Sequence, residues 1–138
     1  NPDNDYWFLL LITIICVSTD IGGYIFGKIF KGPKLTKFSP NKTYAGMIGG
    51  YLLSIISITI FANNILVKVQ FPINWFFFVI LISSISQLGD IIISYFKRSS
   101  KIKDTGKIIP GHGGLLDRVD GMIFAFPFSY IILLIYFL

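Results

Sequence analysis

Hydrophobic and polar positions divide the chain into four long apolar stretches separated by polar connections. The stretches run over residues 6–30, 44–67, 73–96 and 119–138. A membrane helix needs roughly 20 mostly apolar residues, and each stretch has that length. None shows the sustained alternation of apolar and polar residues that is typical of a membrane strand. The pattern therefore predicts an all-α, polytopic membrane helix bundle with about four transmembrane helices, formed by residues 1–138 as one domain.

Polar residues inside the third stretch recur at steps of 4, 3, 4 and 3 residues, which places them on one helical face: Ser83, Gln87, Asp90, Ser94 and Lys97. An aspartate at the centre of a membrane helix costs about 2.5–3.5 kcal/mol on insertion scales. Such a residue usually faces protein, water or an ion. A structural alternative is an aspartate that is paired internally with a lysine.

Two further aspartates within the stretches, Asp20 and Asp120, fall near the same side of the predicted bundle as Asp90. Asp117 lies just outside the fourth stretch. Clustered carboxylates among lysines can hold a hard cation such as Mg²⁺, which prefers oxygen ligands and keeps phosphates as partners. The arrangement predicts phosphate chemistry at the membrane surface.

Small residues in the first two stretches indicate close packing of the helices that carry them. Gly23 and Gly27 form a G-x-x-x-G pair, and Gly46, Gly50 and Ser54 follow one another at steps of four.

Composition and charge agree with a membrane protein. The chain is 54% hydrophobic with a mean hydropathy of +0.72, and 14% of its residues are charged, against roughly 25% in ordinary soluble domains. Its net charge of +5 is concentrated on the first and third connections, so the positive-inside rule places both in the cytoplasm. Basic connections attract anionic headgroups or nucleotide phosphates, although simple orientation by charge explains them equally well. The only cysteine, Cys16, is expected to be a buried packing residue.

The third connection ends in "PGHGGLLDRVDG", residues 110–121, which gathers a lone histidine with glycines, aspartates and an arginine. From the residues alone, His112 is either a proton or phosphate contact or a structural hydrogen-bonding group at a turn.

The longer segment "SYFKRSSKIKDTGKIIPGHGGLLDRVD", from Ser94 to Asp120, closely resembles the signature of phosphatidate cytidylyltransferases, also called CDP-diacylglycerol synthases. The preceding "QLGD" matches the glycine-aspartate of that family, and "SPNKTYAGMIGG" resembles its serine-proline-lysine-lysine-threonine motif. The resemblance covers nearly the whole chain and corresponds to the C-terminal half of family members. Departures from the family pattern are Asn41, Ala45, Ile93 and Gly121.

The resemblance implies transfer of the cytidylyl group of CTP to phosphatidate, which gives CDP-diacylglycerol and pyrophosphate. It also implies Mg²⁺, with a second cation possible, membrane lipid as the surrounding partner, a homodimer and no nucleic-acid partner. The expected location is the bacterial inner membrane, with the active site on the cytoplasmic side.

Carried onto this sequence, the resemblance implies Asp90 and Asp117 as metal ligands and Asp120 as a third candidate, with Asp20 ranked lower. Lys97, Arg98 and Arg118 would hold the triphosphate, and His112 would donate to phosphate or carry a proton. The remaining expected substrate contacts are Ser39, Asn41, Lys42, Thr43, Ser94, Lys103, Asp104, Gly111, Gly113 and Gly114. Lys101 and Lys107 are expected to be solvated.

Three alternatives stay open at the level of the sequence. A polyprenol or dolichol kinase with a similar C-terminal pattern would release CDP instead of pyrophosphate. A transporter or channel fragment would carry polar stripes through the full depth of the bilayer, whereas here the charges concentrate at one edge. An inactive or assembly fragment of a membrane protein is the third alternative.

Overall fold

A computed structural model describes the backbone of residues 2–65, 74–103, 106 and 116–138, and the side chains of residues 5–61, 74–103, 106, 119–136 and 138. Four helices make up this part of the chain: α1 (Pro2–Phe30), α2 (Tyr44–Ile65), α3 (Trp75–Ser99) and α4 (Leu116–Phe137). Each is long and apolar enough to cross a membrane. The predicted all-α membrane bundle is confirmed, and the protein is an integral membrane protein.

Local chemistry sets where the helices begin and end. The hydroxyl of Thr43 accepts a hydrogen bond from the backbone N–H of Gly46 at 3.1 Å and so caps the start of α2. The Asn74 side chain does the same for α3, accepting from the N–H of Phe76 at 3.2 Å. After α1, Lys31 and Gly32 adopt positive φ angles of 51° and 103°, a conformation that ends a helix. These ends lie within a few residues of those that the hydropathy pattern predicts.

Helices α1 and α2 pack closely because glycines on each leave room for the backbone of the other. A Cβ atom at Gly22 would collide with the carbonyl oxygen of Gly49, and one at Gly46 would lie 2.6 Å from the carbonyl oxygen of Gly23. The close approach predicted from the small residues is confirmed. Helix α3 packs on α1, α2 and α4, and α4 also contacts α1.

The buried apolar core occupies the half of the bundle that holds the start of α1 and the start of α3. Its members are Phe8, Leu11, Ile12, Ile15, Cys16, Ile58, Phe78, Val79, Ile82 and Ala125. On the outer face of α2, apolar side chains at steps of four are exposed, as a lipid-facing helix requires: Ile48, Leu52, Ile56 and Ile60. Cys16 is buried and unbridged, as expected.

Two hydroxyl pairs join the helices between the apolar core and the opposite end. Thr19 on α1 and Ser83 on α3 are hydrogen-bonded at 2.8 Å, and both are buried. Tyr51 on α2 and Ser84 on α3 form a second pair at 2.8 Å. Polar groups in an apolar surrounding need such partners, so these pairs fix how α3 is rotated against its neighbours.

Candidate functional site

A cavity of about 720 Å³ lies where α1 and α3 end and where α2 and α4 begin. All four helices contribute to its wall. The charged residues that line it are Asp20, Lys42, Asp90, Lys97 and Asp120. The charges that the sequence spreads over a hundred positions therefore meet at one end of the bundle.

Helix α3 supplies one continuous polar strip of the cavity wall. Gln87, Asp90, Ser94 and Lys97 all line the cavity, because steps of three and four residues bring side chains onto one helical face. Ser83, one turn further in, is buried below the cavity and hydrogen-bonded to Thr19. The polar face predicted for the third stretch is confirmed.

Two lysine–aspartate pairs cross the cavity between different elements. The Nζ atom of Lys42 lies 3.0 Å from Oδ2 of Asp90, and the Nζ atom of Lys97 lies 3.1 Å from Oδ2 of Asp120. The first pair is partly open to solvent, with side-chain exposures of 30% and 21%, and the second is more enclosed, at 14% and 8%. Ion pairs shielded from water interact more strongly than surface pairs, and loss of one partner then leaves a costly unpaired charge.

The connection between α1 and α2, residues 31–43, folds into a hydrogen-bonded turn that presents its last residues to the cavity. The N–H of Leu35 donates to the carbonyl of Lys42 at 2.8 Å, and the N–H of Lys42 donates to the carbonyl of Ser39 at 3.1 Å. The ring of Phe38 contacts the ring of Tyr95 on α3 edge-on, with centroids 4.8 Å apart. These contacts hold the turn against α3, so that Asn41, Lys42 and Thr43 lie on the cavity wall.

Asp20 adds a third carboxylate to the cavity and is a close neighbour of Asp90. Sequence reasoning ranked it below the aspartates of α3 and α4, although its place on the cavity side of α1 follows from the same helical spacing. With three aspartates and two lysines, the described wall of the cavity has more acidic than basic side chains.

Seven of the residues expected to bind substrate or metal line this cavity: Asn41, Lys42, Thr43, Asp90, Ser94, Lys97 and Asp120. Ser39, Arg98 and Lys103 are described but lie outside its wall, and the last two are exposed. Their roles stay predictions. Asp104, Gly111, His112, Gly113 and Gly114 lie outside the described residues, as do the side chains of Asp117 and Arg118.

The apolar part of the wall was missed by sequence reasoning. Val17 and Ile21 on α1 line the cavity and are 40% and 46% exposed, and Tyr24, which also lines it, is 68% exposed. Their steps of four and three residues on the first helix are the signal that points to this face. The cavity therefore borders both the charged turn and an apolar surface.

The donor set of the cavity suits a hard cation. The cavity wall carries aspartate carboxylates. Mg²⁺ binds through one or two protein carboxylates together with phosphate oxygens and water. Among the side chains that the structure describes, no three carboxylate, imidazole or thiol groups form a ready metal-binding cluster. Two of the cavity's carboxylates instead each hold a lysine ammonium, a cation of another kind.

Comparison with known proteins decides the family. A model of the cytidylyltransferase family matches residues 1–136. The chain belongs to that family. This match extends over all four helices and agrees with the resemblance carried by the third connection.

Several relatives of this cytidylyltransferase-family chain are named phosphatidate cytidylyltransferase. One from Bacillus subtilis (strain 168) is 39% identical over 139 residues, which is 96% of this chain and 50% of the relative. One from Rickettsia conorii is 42% identical over 127 residues, covering 88% of this chain and 55% of the relative. One from Brucella suis biovar 1 is 40% identical over 136 residues, covering 94% and 48%. The chain thus spans about half the length of the curated relatives it matches.

Proposed function

We propose that this chain forms the catalytic half of a phosphatidate cytidylyltransferase, which transfers the cytidylyl group of CTP to phosphatidate and yields CDP-diacylglycerol and pyrophosphate. The observation that carries the proposal is the convergence of Asp20, Asp90 and Asp120 with Lys42 and Lys97 in one cavity at the end of a membrane bundle. The names of the relatives support the same reaction.

The reaction joins two anions, so positioning and charge neutralisation dominate the catalytic task. A phosphate oxygen of the lipid attacks the α-phosphorus of CTP, and the bond to the leaving pyrophosphate breaks. The lipid phosphate is already ionised near neutral pH and needs no strong general base. The ammonium groups of Lys42 and Lys97 are the described cations of the cavity wall that would hold phosphate oxygens. Arg98, Arg118 and His112 are proposed to complete this set from the third connection and its borders.

The two sides of the cavity suit the two reactants. The apolar residues Val17, Ile21 and Tyr24 on α1 lie beside the lipid-facing surface, where the glycerol end of a lipid enters with its acyl chains still in the bilayer. The capped start of α2, with Thr43 and the neighbouring Asn41, borders the polar side. Helix starts carry partial positive charge, which favours phosphate groups there.

Mg²⁺ is the proposed cofactor, with Asp90 and Asp117 as first ligands and Asp120 as a third candidate. When bound, it neutralises phosphate charge at the reacting centre and orients the reacting groups. Asp20 is added as a neighbour that raises the negative charge beside Asp90. A second cation remains part of the proposal.

The orientation of the bundle supports a cytoplasmic site. The cavity opens at the end that carries the basic first connection and the basic end of α3, and such segments stay in the cytoplasm. We place the protein in a bacterial inner membrane, as a homodimer with no nucleic-acid partner.

The proposal is tested by incubating the purified protein in detergent with phosphatidate and CTP labelled at the α-phosphate, with and without Mg²⁺. The chain is assayed both alone and within a longer protein that also carries the remaining half of its relatives' length. Label should enter a lipid product and pyrophosphate should be released only with Mg²⁺. Release of labelled CDP with no labelled lipid would indicate a kinase instead, and absence of any product from the longer protein would overturn the proposal.

A further inference from the structure

We propose that Lys42 is an exchangeable internal counter-ion, which competes with the divalent cation for Asp90 and turns to nucleotide phosphate once the cation has bound. This inference rests on the proposed function for the identity of the anion. Its first claim, competition between an ammonium group and a divalent cation at one carboxylate, stands on the geometry of the cavity alone.

The two oxygens of the Asp90 carboxylate are both approached by other groups. Oδ2 lies 3.0 Å from the Nζ atom of Lys42. Oδ1 lies against the start of α4, because a Cβ atom placed on Gly121 would be 3.0 Å from it. A cation that uses Oδ2 of Asp90 therefore competes with the ammonium group for that oxygen, because two cations held side by side repel each other.

Asp20 explains why a counter-ion is needed at this position. Its carboxyl group is a close neighbour of Asp90, and two carboxylates side by side repel each other when both are ionised. Lys42 offsets that repulsion while no metal ion is bound. A divalent cation would offset it more completely, since it carries two charges at one point.

Release of Lys42 requires no movement of the backbone. Hydrogen bonds from the N–H of Leu35 to the carbonyl of Lys42, and from the N–H of Lys42 to the carbonyl of Ser39, hold the turn in place. The flexible four-carbon stem of lysine can then carry its ammonium group from one oxygen ligand to another by rotation alone.

The ion pair of Lys97 and Asp120 is more enclosed than the pair of Lys42 and Asp90. Lys97 and Asp120 are 14% and 8% exposed, whereas Lys42 and Asp90 are 30% and 21% exposed. An enclosed pair is costly to separate, while a pair with access to water exchanges partners readily. The exchange is therefore assigned to Lys42, whereas Lys97 keeps its contact with Asp120 and would offer its remaining N–H groups to phosphate.

The test measures binding of Mn²⁺, a paramagnetic stand-in for Mg²⁺, by the electron paramagnetic resonance signal of the free ion, with no nucleotide or lipid substrate present. The purified protein in detergent is compared with Lys42→Met and Lys42→Arg. Lys37→Met is the matched control, because Lys37 is an exposed lysine of the same turn outside the cavity and its loss changes the net charge equally.

We expect Lys42→Met to lower the Kd for Mn²⁺ about fivefold or more, in the range of typical coupling between sites. Lys37→Met should change it less than about twofold, and Lys42→Arg should keep the weaker binding of the unmodified protein because its charge still pairs with Asp90. In a second arm, Lys42→Met should weaken binding of CTP in the presence of Mn²⁺, because the released ammonium group is then missing.

Equal Mn²⁺ affinities for Lys42→Met and Lys37→Met would overturn the proposal, as would weaker binding by Lys42→Met or absence of Mn²⁺ binding in every variant. Tighter Mn²⁺ binding with unchanged CTP affinity would overturn only the transfer of the ammonium group to phosphate. Failure of the proposed enzyme activity is scored separately by product formation, so tighter Mn²⁺ binding in a protein that makes no CDP-diacylglycerol would leave the competition standing.

Discussion

The ammonium group of Lys97 lies 3.1 Å from Oδ2 of Asp120, which joins the last turns of α3 to the first turns of α4. The side chains are 14% and 8% exposed. Because both charges are largely withdrawn from water, the pair interacts strongly and helps to hold the start of α4 beside the cavity.

Replacement of Lys97 by Met should therefore destabilise the bundle. The change leaves the Asp120 carboxylate enclosed without its lysine, and loss of one partner of a buried pair costs about 3 kcal/mol. Unfolding in mixed detergent micelles measures the difference. Lys101→Met removes a charge from an exposed position close by and should change the free energy of unfolding by less than about 0.5 kcal/mol.

The double variant Lys97→Met, Asp120→Asn separates this cause from simple loss of packing. If the enclosed charge is the source of the instability, its removal should restore at least about half of the lost free energy. A double variant no more stable than Lys97→Met alone would show that the lysine stem, and not the charge pair, holds the two helices.

Neighbouring glycines on α1 should respond very differently to one added methyl group. A Cβ atom at Gly22 would collide with the carbonyl of Gly49 and approach Cβ of Leu53 to 2.8 Å, while one at Gly23 would lie 3.6 Å from the carbonyl of Gly46. We expect Gly22→Ala to destabilise the protein by about 1–3 kcal/mol, the usual cost of overpacking. Gly23→Ala should be neutral or slightly stabilising, since alanine favours a helix by up to about 1 kcal/mol.

Thermal unfolding in detergent compares these two variants directly. Both variants add one methyl group at adjacent positions of the same helix. A difference between their melting temperatures therefore cannot come from composition or from membrane insertion. Equal melting temperatures would contradict the close contact between α1 and α2.

The fold follows from the sequence because lipid imposes a simple rule on length and polarity. Apolar stretches of about 20 residues must become helices that satisfy their own backbone, so hydropathy alone predicts four helices. Hydropathy does not predict the exact first and last residues of each helix, because these depend on single contacts such as the hydrogen bond from Gly46 N–H to the Thr43 hydroxyl. The small residues of α1 and α2 predicted their close packing for the same geometric reason.

The site was predictable only in part. Helical spacing placed Asp90 and Lys97 on one face, and the family resemblance pointed to Lys42 in the first connection. No pattern within the chain shows which lysine meets which aspartate, because the pairs join residues 48 and 23 positions apart, as Lys42–Asp90 and Lys97–Asp120. The apolar side of the cavity at Val17 and Ile21 was missed because such residues are expected on any membrane helix.

The buried hydroxyl pair of Thr19 and Ser83 gives a test of hydrogen-bond direction. The Thr19 hydroxyl donates to the carbonyl of Ile15 at 2.7 Å, so its single hydrogen is used and the Ser83 hydroxyl donates to Thr19. Thr19→Val removes the acceptor and leaves the Ser83 hydroxyl without this partner, whereas Ser83→Ala removes only a donor. We expect a loss of about 1–2 kcal/mol for Thr19→Val and about 0.5 kcal/mol for Ser83→Ala.

Unfolding free energies of both variants and of their combination check this order. The double variant should be no less stable than Thr19→Val alone, because it contains no unpaired Ser83 hydroxyl. The reverse order, with Ser83→Ala the more damaging change, would contradict the assigned direction.

Asp90 should be indispensable for the proposed reaction, because it is the aspartate of α3 that faces both the cavity and Lys42. Asp90→Asn keeps the size of the side chain but removes the charge that would hold a metal ion. We expect transfer of the cytidylyl group in the longer protein to fall at least about 100-fold, comparable to loss of one preorganised electrostatic contact. Product formation from labelled CTP measures the change, and membrane insertion should persist because the substitution removes a charge from a membrane helix.

Lys101→Ala is the control in the same assay. Lys101 is exposed just beyond the end of α3 and lies outside the cavity wall, so its loss should change the rate less than about tenfold, through long-range attraction of anions alone. Normal activity of Asp90→Asn would remove this carboxylate from the reaction, whereas a collapse of activity in Lys101→Ala would place the end of α3 among the groups that touch the nucleotide. Only a large loss for the first variant together with a small one for the second agrees with a reaction centred between Asp90 and Lys42.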